Sequence, residues 1–424
     1  MTKTRVDLII SNAKQIITAR GHSEKPATGS EMEELGILQN AAIAIQGQEI
    51  VSVGRSNEIT NRYSAAEEID ASGKVVMPGF VDPHTHFVFA GSREGELELK
   101  IKGAGYMEIL QKGGGILRTV RDTRAATKDD LLQVCKERAR NLILHGTTTI
   151  EAKSGYGLTL HDEIKMLEVI RELNNAGPLT LVPTFLGAHA VPPEFAGRVS
   201  DFTTLICQEW IPEVAMRKLA VFCDVFCEKD VFEIEDSRRI LESGKRAGLR
   251  PKIHADELYP LGGAELAAEV GAISADHLLY VSMKGLSEMR RAGVIAVALP
   301  GAPITLMVDR NVDARRIIDE NIPVAVGSDF SPSCWLDNQE LVIALTCYKL
   351  KMTPAEAICA STINAAHAIG MAKQIGSIEA DKKADIVILN AGDYRFLGYR
   401  LGSGMVDTVV KNGRILVRDG RLAM

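Results

Sequence analysis

The sequence predicts an α/β fold, a (β/α)8 TIM barrel that carries a small β-sandwich domain built from both ends of the chain. Three observations predict it. Eight apolar runs in the middle of the chain alternate with helical periodicities. The first and last stretches instead alternate apolar and polar residues, as half-buried strands do. Five of the nine histidines fall at or just past the ends of the apolar runs.

The N-terminal β segment reads from Val6 to Ala19, Ala42 to Val53 and Glu67 to Val76, broken by turn signals such as Gln46-Gly47 and Ser72-Gly73. Residues 21–36, rich in Gly, Ser, Glu and Pro, read as a solvated loop. The style returns after about residue 375. Ala384–Leu389 and Val406–Val410 read as strands, and Lys411-Asn-Gly-Arg414 reads as a hairpin turn. The expected division is 1–76 and 376–424 for the two parts of the small β domain and 77–375 for the barrel.

The eight buried runs are Gly79–Val88, Thr147–Ala152, Leu181–Ala188, Val221–Cys227, Arg250–Ala255, Ala272–Ala275, Val294–Leu299 and Pro323–Gly327. Helical patterns at Lys128–Leu144, Leu160–Asn175, Glu235–Ala247 and Gly262–Val270 separate several of them. A doubly wound open sheet is the competing architecture, but no GxGxxG follows a first strand.

Composition narrows the class. The 424 residues are 46% hydrophobic and 25% charged, which excludes a disordered or fibrous chain. Lys and Arg total 49 against 55 Asp and Glu, a net charge of −6 without a basic run, so a nucleic-acid partner is not expected. Seven cysteines are too few and too odd in number for a disulfide framework. Neither a signal peptide nor an apolar run long enough for a membrane helix is legible, and a cytoplasmic protein with no membrane partner is expected.

In a barrel the C-terminal strand ends share one face, where active sites are assembled. His84 and His86 follow the first run, His189 the third, His254 the fifth, His277 the sixth and Asp329 the eighth. In Asp82-Pro-His84-Thr-His86 the imidazoles stand two residues apart, so on an extended segment both point the same way and can chelate one ion. The structural alternative is a solvated pair on a strand edge. His254, in Lys252-Ile-His254-Ala-Asp256-Glu257, supplies a third nitrogen, and Asp329, in Val326-Gly-Ser-Asp329, supplies a carboxylate. Helix capping is the competing role for Glu257 and for Asp329. Three nitrogens and one oxygen suit zinc or iron better than magnesium or calcium. His277, in Ser274-Ala-Asp276-His277, is placed to take a proton from water, with a fifth metal ligand or a core histidine as the alternative.

These residues resemble the amidohydrolase superfamily and, within it, the imidazolonepropionase family. The resemblance covers nearly the whole chain. Its most specific parts are Gly91-Ser-Arg93, Lys153-Ser-Gly-Tyr156 and Gly187-Ala-His189, beside Gly113-Gly-Gly-Ile-Leu, His254-Ala-Asp-Glu257 and Ser274-Ala-Asp-His277. It implies that His84, His86, His254 and Asp329 bind one metal ion, zinc or iron, and that a small molecule, 4-imidazolone-5-propanoate, is opened hydrolytically to N-formimidoyl-L-glutamate. Arg93, Tyr156 and His189, with Tyr106, are implied to hold the substrate. Glu257 is implied to contact the ring and shuttle a proton, and His277 to activate the water; Asp329 counts with these two as catalytic. The resemblance also implies product contacts at Ser331, Ser333 and Cys334, although after Asp329 the chain departs from the family pattern and reads Phe330-Ser331-Pro332-Ser333-Cys334-Trp335 where the family often reads Phe-Asn-Pro-Gly. Lys229 stands after the fourth run, where binuclear relatives carry a bridging lysine, although a solvated side chain serves equally. A homodimer is one expected assembly.

Two other readings stay open. A deaminase acting on a nucleobase-like ring would use the same donors. A non-catalytic scaffold would be expected to have lost some of them. Cys223 and Cys227 read as buried structural thiols, and Gly113-Gly-Gly115 as a flexible loop. His22, His145, His161 and His367 fall away from the mouth and receive no role.

Overall fold

The computed structural model describes residues 3–103, 113–402 and 404–423. Its centre is a sheet of eight parallel strands, each hydrogen-bonded to the next in chain order: Phe80–Asp82, Thr147–Lys153, Thr180–Ala188, Phe222–Cys227, Ile253–Ala255, Ser274–His277, Ile295–Ala298 and Val324–Val326. All eight apolar runs form strands. A short segment, Arg250–Pro251, also pairs with the fourth strand.

The first strand is shorter than expected. Regular pairing stops at Asp82 because Pro83 has no amide hydrogen to give a neighbour. The chain then runs beside the segment after the eighth strand and closes the barrel there. Thr85 bridges Phe330, the His86 amide donates to the Phe330 carbonyl at 2.8 Å, and the Asp329 amide donates to the His84 carbonyl at 3.2 Å.

The helices follow their local signals. Lys128–Leu144 starts at Thr127, whose hydroxyl accepts the Asp130 amide while the Asp130 carboxylate accepts the Thr127 amide. Leu160–Ala176 starts at Thr159, which accepts the Asp162 amide. Their apolar faces, including Leu131, Cys135, Leu142, Leu167 and Ile170, pack into the same core as the barrel strands.

Both ends of the chain build the second sheet. Thr4–Ile16 pairs antiparallel with Leu38–Gln46, and lies parallel to Tyr63–Asp70 over its first half and to Val75–Pro78 at its end. Val75–Pro78 joins the C-terminal Ile386–Leu389, after which Val406–Lys411, Arg414–Arg418 and Arg421–Leu422 follow in order. The fork along Thr4–Ile16 leaves apolar clusters on two sides, one around Ile10, Ile43 and Ile386 and one around Val6, Ala42 and Tyr63. The expected hairpin turn is present, with φ of 49° at Asn412 and 74° at Gly413, the left-handed pair of a type I′ turn. A Cβ at Gly413 would lie 2.0 Å from the Gly47 carbonyl, so only glycine fits there. Among the described residues no helix is long and apolar enough to cross a membrane.

Candidate active site

The strand ends bring His84, His86, His254, His277 and Asp329 to one buried cluster. Nε2 of His84 and Nε2 of His86 each lie 3.6 Å from Oδ1 of Asp329, and Nε2 of His254 lies 3.4 Å from Nε2 of His86. Donors about 2.0–2.2 Å from one ion, placed tetrahedrally, sit about 3.3–3.6 Å from one another. The three distances have that value. Nε2 of His84 has no hydrogen-bond partner although it is fully buried, a cost that an ion would remove. Its other nitrogen, Nδ1, faces Oδ2 of Asp276 at 2.6 Å, which leaves Nε2 as the lone-pair atom.

Burial holds His84, His86 and His277 well below the ordinary histidine range, so they are neutral ligands or bases at neutral pH. Burial also pushes the Asp329 carboxyl up to about 7, and a cation beside it would favour the ionised form. The donor set therefore fits a divalent metal ion.

The backbone is bent to present these groups. Asp256, His277, Leu278 and Asp329 have φ of 50°, 74°, 60° and 55°, conformations that side chains other than glycine adopt at a cost. Asp256 takes the capping role considered for Glu257. Its carboxylate accepts the amides of Leu261, Gly262, Gly263 and Ala264 at 2.8–3.0 Å, anchoring the loop at the start of helix Gly263–Val270. Glu257 is thereby left to face the site, with Oε1 3.4 Å from Nδ1 of His277. Burial and the nearby Asp329 raise the Glu257 carboxyl well above its usual range.

The rings of His189 and Tyr156 lie beside the cluster. His189 stacks on His86 with centroids 4.7 Å apart and planes 10° apart, and the Tyr156 ring is 5.1 Å from His189. Nδ1 of His189 donates to the Gly155 carbonyl at 3.1 Å, and burial lowers its pKa to about 3. The Gly155–Leu158 turn is held by a residue that sequence reasoning missed. The buried Glu163 carboxylate accepts the amides of Gly155, Gly157 and Leu158 at 2.8–2.9 Å. A glutamate in the first turn of a helix gave no distinguishing signal in the sequence.

Arg93 is neither on the surface nor without a partner. Its Nε and Nη2 donate to Oε2 of Glu96 at 2.9 and 2.7 Å, and both side chains are less than one-tenth exposed. Glu96 also accepts the Gly115 amide, so Gly113-Gly-Gly115 is tied to this pair and leads into helix Ile116–Ala125. Ser331 and Cys334 are buried, and Ser333 lies 3.3 Å from Ser331, Oγ to Oγ. The Cys334 thiol points to the Ser328 carbonyl at 3.5 Å. Tyr106 lies outside the described residues. Lys229 is exposed, its ammonium 4.7 Å from the Tyr259 ring centroid, which is the solvated role and not that of a bridge between metals. Cys223 and Cys227 are buried free thiols, and burial pushes Cys227 up to about 12.

Residues 233–416 match the amidohydrolase family. Over 98% of its length the chain is 51% identical to the imidazolonepropionase of Brevibacillus brevis, covering 99% of that protein. The chain belongs to the imidazolonepropionase family. The family member of Shouchella clausii is 49% identical over 98% of this chain and 94% of its own, and that of Geobacillus kaustophilus 49% over 98% and 99%. Among solved structures, a zinc-bound adenosine deaminase from Xanthomonas campestris superposes with a TM-score of 0.71 at 16% identity, over 100% of this chain and 96% of that one. A triazine hydrolase variant gives 0.73 at 17%, over 98% and 96%. At that distance the likeness shows the barrel fold alone.

Proposed function

We infer that the chain is a metal-dependent cyclic amidohydrolase that opens the ring of 4-imidazolone-5-propanoate to N-formimidoyl-L-glutamate. One observation carries the reading. A chain that matches imidazolonepropionases from end to end keeps His84, His86, His254 and Asp329 within one donor cluster, with His277 and Glu257 paired beside it.

His84, His86, His254 and Asp329 would hold the ion, zinc or iron by the softness of three imidazoles and one carboxylate. Such an ion, when bound, lowers the pKa of water and polarises a carbonyl. The remaining work falls to the protein. His277, neutral at pH 7, takes a proton from the attacking water as its oxygen joins the ring carbonyl carbon. Glu257, whose protonated form burial favours, gives a proton to the ring nitrogen as the carbon–nitrogen bond breaks. The 3.4 Å separation of these two side chains allows the proton on His277 to pass to Glu257 and restore the starting state. Arg93 grips the propionate, while Tyr156 and His189 flank the ring, and Ser331, Ser333 and Cys334 shape the wall beyond Asp329.

The test is loss of imidazolone propionate absorbance, run beside ammonia release from cytosine and guanine. Turnover of the imidazolone without ammonia from either base is expected. Ammonia release with no imidazolone turnover would establish the deaminase instead.

A further inference from the structure

Two of the histidines assigned to the metal are held from below by a shared cation. Lys153 ends the second barrel strand, and its ammonium is fully buried. It lies 2.7 Å from Oδ2 of Asp224 and 3.6 Å from Oδ2 of Asp276. Those same two oxygens face the histidines. Oδ2 of Asp276 is 2.6 Å from Nδ1 of His84, a hydrogen bond, and Oδ2 of Asp224 is 3.1 Å from Nδ1 of His254, an ion-pair distance without hydrogen-bond alignment. Glu151 completes the surroundings of Lys153 at 3.0 Å and also meets the second buried lysine, Lys252, at 3.0 Å.

The chemistry of this arrangement is specific. A histidine presents Nε2 to an ion when Nδ1 carries the proton and donates it to a fixed acceptor. A carboxylate serves as that acceptor in a dry interior only when a counter-charge and further hydrogen bonds hold it. Here one ammonium lies within 3.6 Å of both carboxylates, one from the fourth strand and one from the sixth, with Lys252 adding positive charge towards Asp276, and so links a ligand on the fifth strand to a ligand just past the first.

We propose that Lys153 is a positioning residue, the common cation that fixes Asp224 and Asp276 and through them sets the direction of His254 and His84 towards the metal. The proposal rests on the assignment of His84 and His254 as ligands. It also opposes simple electrostatics, because a fixed positive charge near the site should by itself repel a divalent cation. Its removal should then tighten binding. A positioning role requires the reverse.

The experiment measures Zn²⁺ affinity of the stripped protein by chelator competition, and the visible absorption of the Co²⁺-loaded protein, for the wild type, Lys153→Met, Asp276→Asn and the double variant. Lys153→Met is expected to bind Zn²⁺ about 10- to 100-fold more weakly, the usual effect of losing a residue that orients a metal ligand. Its cobalt band should shift in position or intensity. The double variant should lose less than the sum of the two single losses, because the part of the Lys153 effect that runs through Asp276 is already gone in Asp276→Asn while the part through Asp224 remains. Wild-type or tighter affinity with an unchanged cobalt spectrum overturns the proposal, as does full additivity. Should Lys153→Met yield no folded protein, Lys153→Arg keeps the charge but displaces both carboxylates, and the same two readouts apply to it. His254→Ala separates the two levels. If that variant keeps its metal, the ligand assignment fails; if it loses the metal while Lys153→Met does not, only the role of Lys153 fails.

Discussion

The amide of Asp329 donates to the carbonyl of His84 at 3.2 Å, and this bond belongs to the seam that closes the barrel. The eighth strand is thereby set against the first at the place where both deliver candidate metal donors. Barrel closure and the donor cluster are one feature. An ion held by His84, His86 and Asp329 would bridge the seam, so its binding energy would be added to the stability of the fold.

Removing the metal should therefore lower Tm. A ligand present at 1,000 times its Kd stabilises by about 4.1 kcal/mol. The chelator-treated wild type is expected to melt several degrees below the loaded protein. His254→Ala should lose most metal and all activity, melt near the stripped wild type and show no further change with chelator. A His254→Ala protein with full metal content and near-normal turnover would remove His254 from the ligand set.

The pH dependence of turnover follows from His277. Burial lowers its pKa well below 6.5, and the nearby Lys153 ammonium acts the same way. A lowered pKa keeps the base form present above that value, and the base is lost only as pH falls through it. The ratio kcat/KM should stay level from pH 8 down to about 6.5, the unperturbed histidine value, and decline only below it. His277→Ala should keep its metal, lose about 10²- to 10⁴-fold in turnover and lack this acid limb. Metal content measured at each pH separates protonation from metal loss. An acid limb centred at or above pH 6.5 would point to a different base.

Much of this was legible in the sequence, for a physical reason. Buried parallel strands are continuous apolar runs, and a polar residue at the end of such a run is conspicuous. His84, His254, His277 and Asp329 stood out in this way. The partners of those residues were not legible. That Glu96 holds Arg93, that Asp256 rather than Glu257 caps the next helix, and that Lys153 serves two carboxylates all depend on how distant segments meet. Each of these residues is an ordinary charge in a string until the barrel closes. Lys229 shows the converse, a lysine at a suggestive position whose side chain turns to Tyr259 and solvent.

Glu163 offers a test of the substrate wall without touching the metal. Its carboxylate is the shared acceptor for three amides of the turn that carries Tyr156, and that turn's Gly155 carbonyl accepts from His189. Glu163→Ala leaves those buried amides unsatisfied, at about 1–3 kcal/mol each before relaxation. A lower Tm and a KM raised about tenfold or more are expected, with metal content unchanged. Glu163→Gln keeps an acceptor oxygen and should recover part of the KM. Unaltered KM in a folded Glu163→Ala protein would mean that Tyr156 and His189 do not need the turn held.

The last prediction concerns specificity and turns on Arg93. Glu96 takes two of its N–H groups, and that pair has two competing meanings. If Glu96 merely neutralises Arg93, the guanidinium has no charge to spend on substrate. If Glu96 orients it, the fork is fixed before the propionate arrives and less side-chain freedom is lost on binding. Burial favours the second meaning, because a pair less than one-tenth exposed is not the weak surface bridge that an Arg-Glu spacing of three residues suggests. Hydrogen bonds to a charged group contribute about 1.5–3 kcal/mol, or roughly 10- to 150-fold in binding. Arg93→Ala should raise KM for imidazolone propionate by that factor, and Glu96→Gln by less, since it removes the orienting charge but leaves the guanidinium. An imidazolone without the carboxylate should be a poor substrate for the wild type and nearly indifferent to either change. The decisive measurement is the cycle of enzyme, Arg93 or Ala, against substrate, with or without carboxylate, read in kcat/KM. A large coupling energy places the propionate on Arg93. Coupling near zero would confine Arg93 to its partner Glu96 and move the search for the carboxylate's cation to other side chains at the mouth.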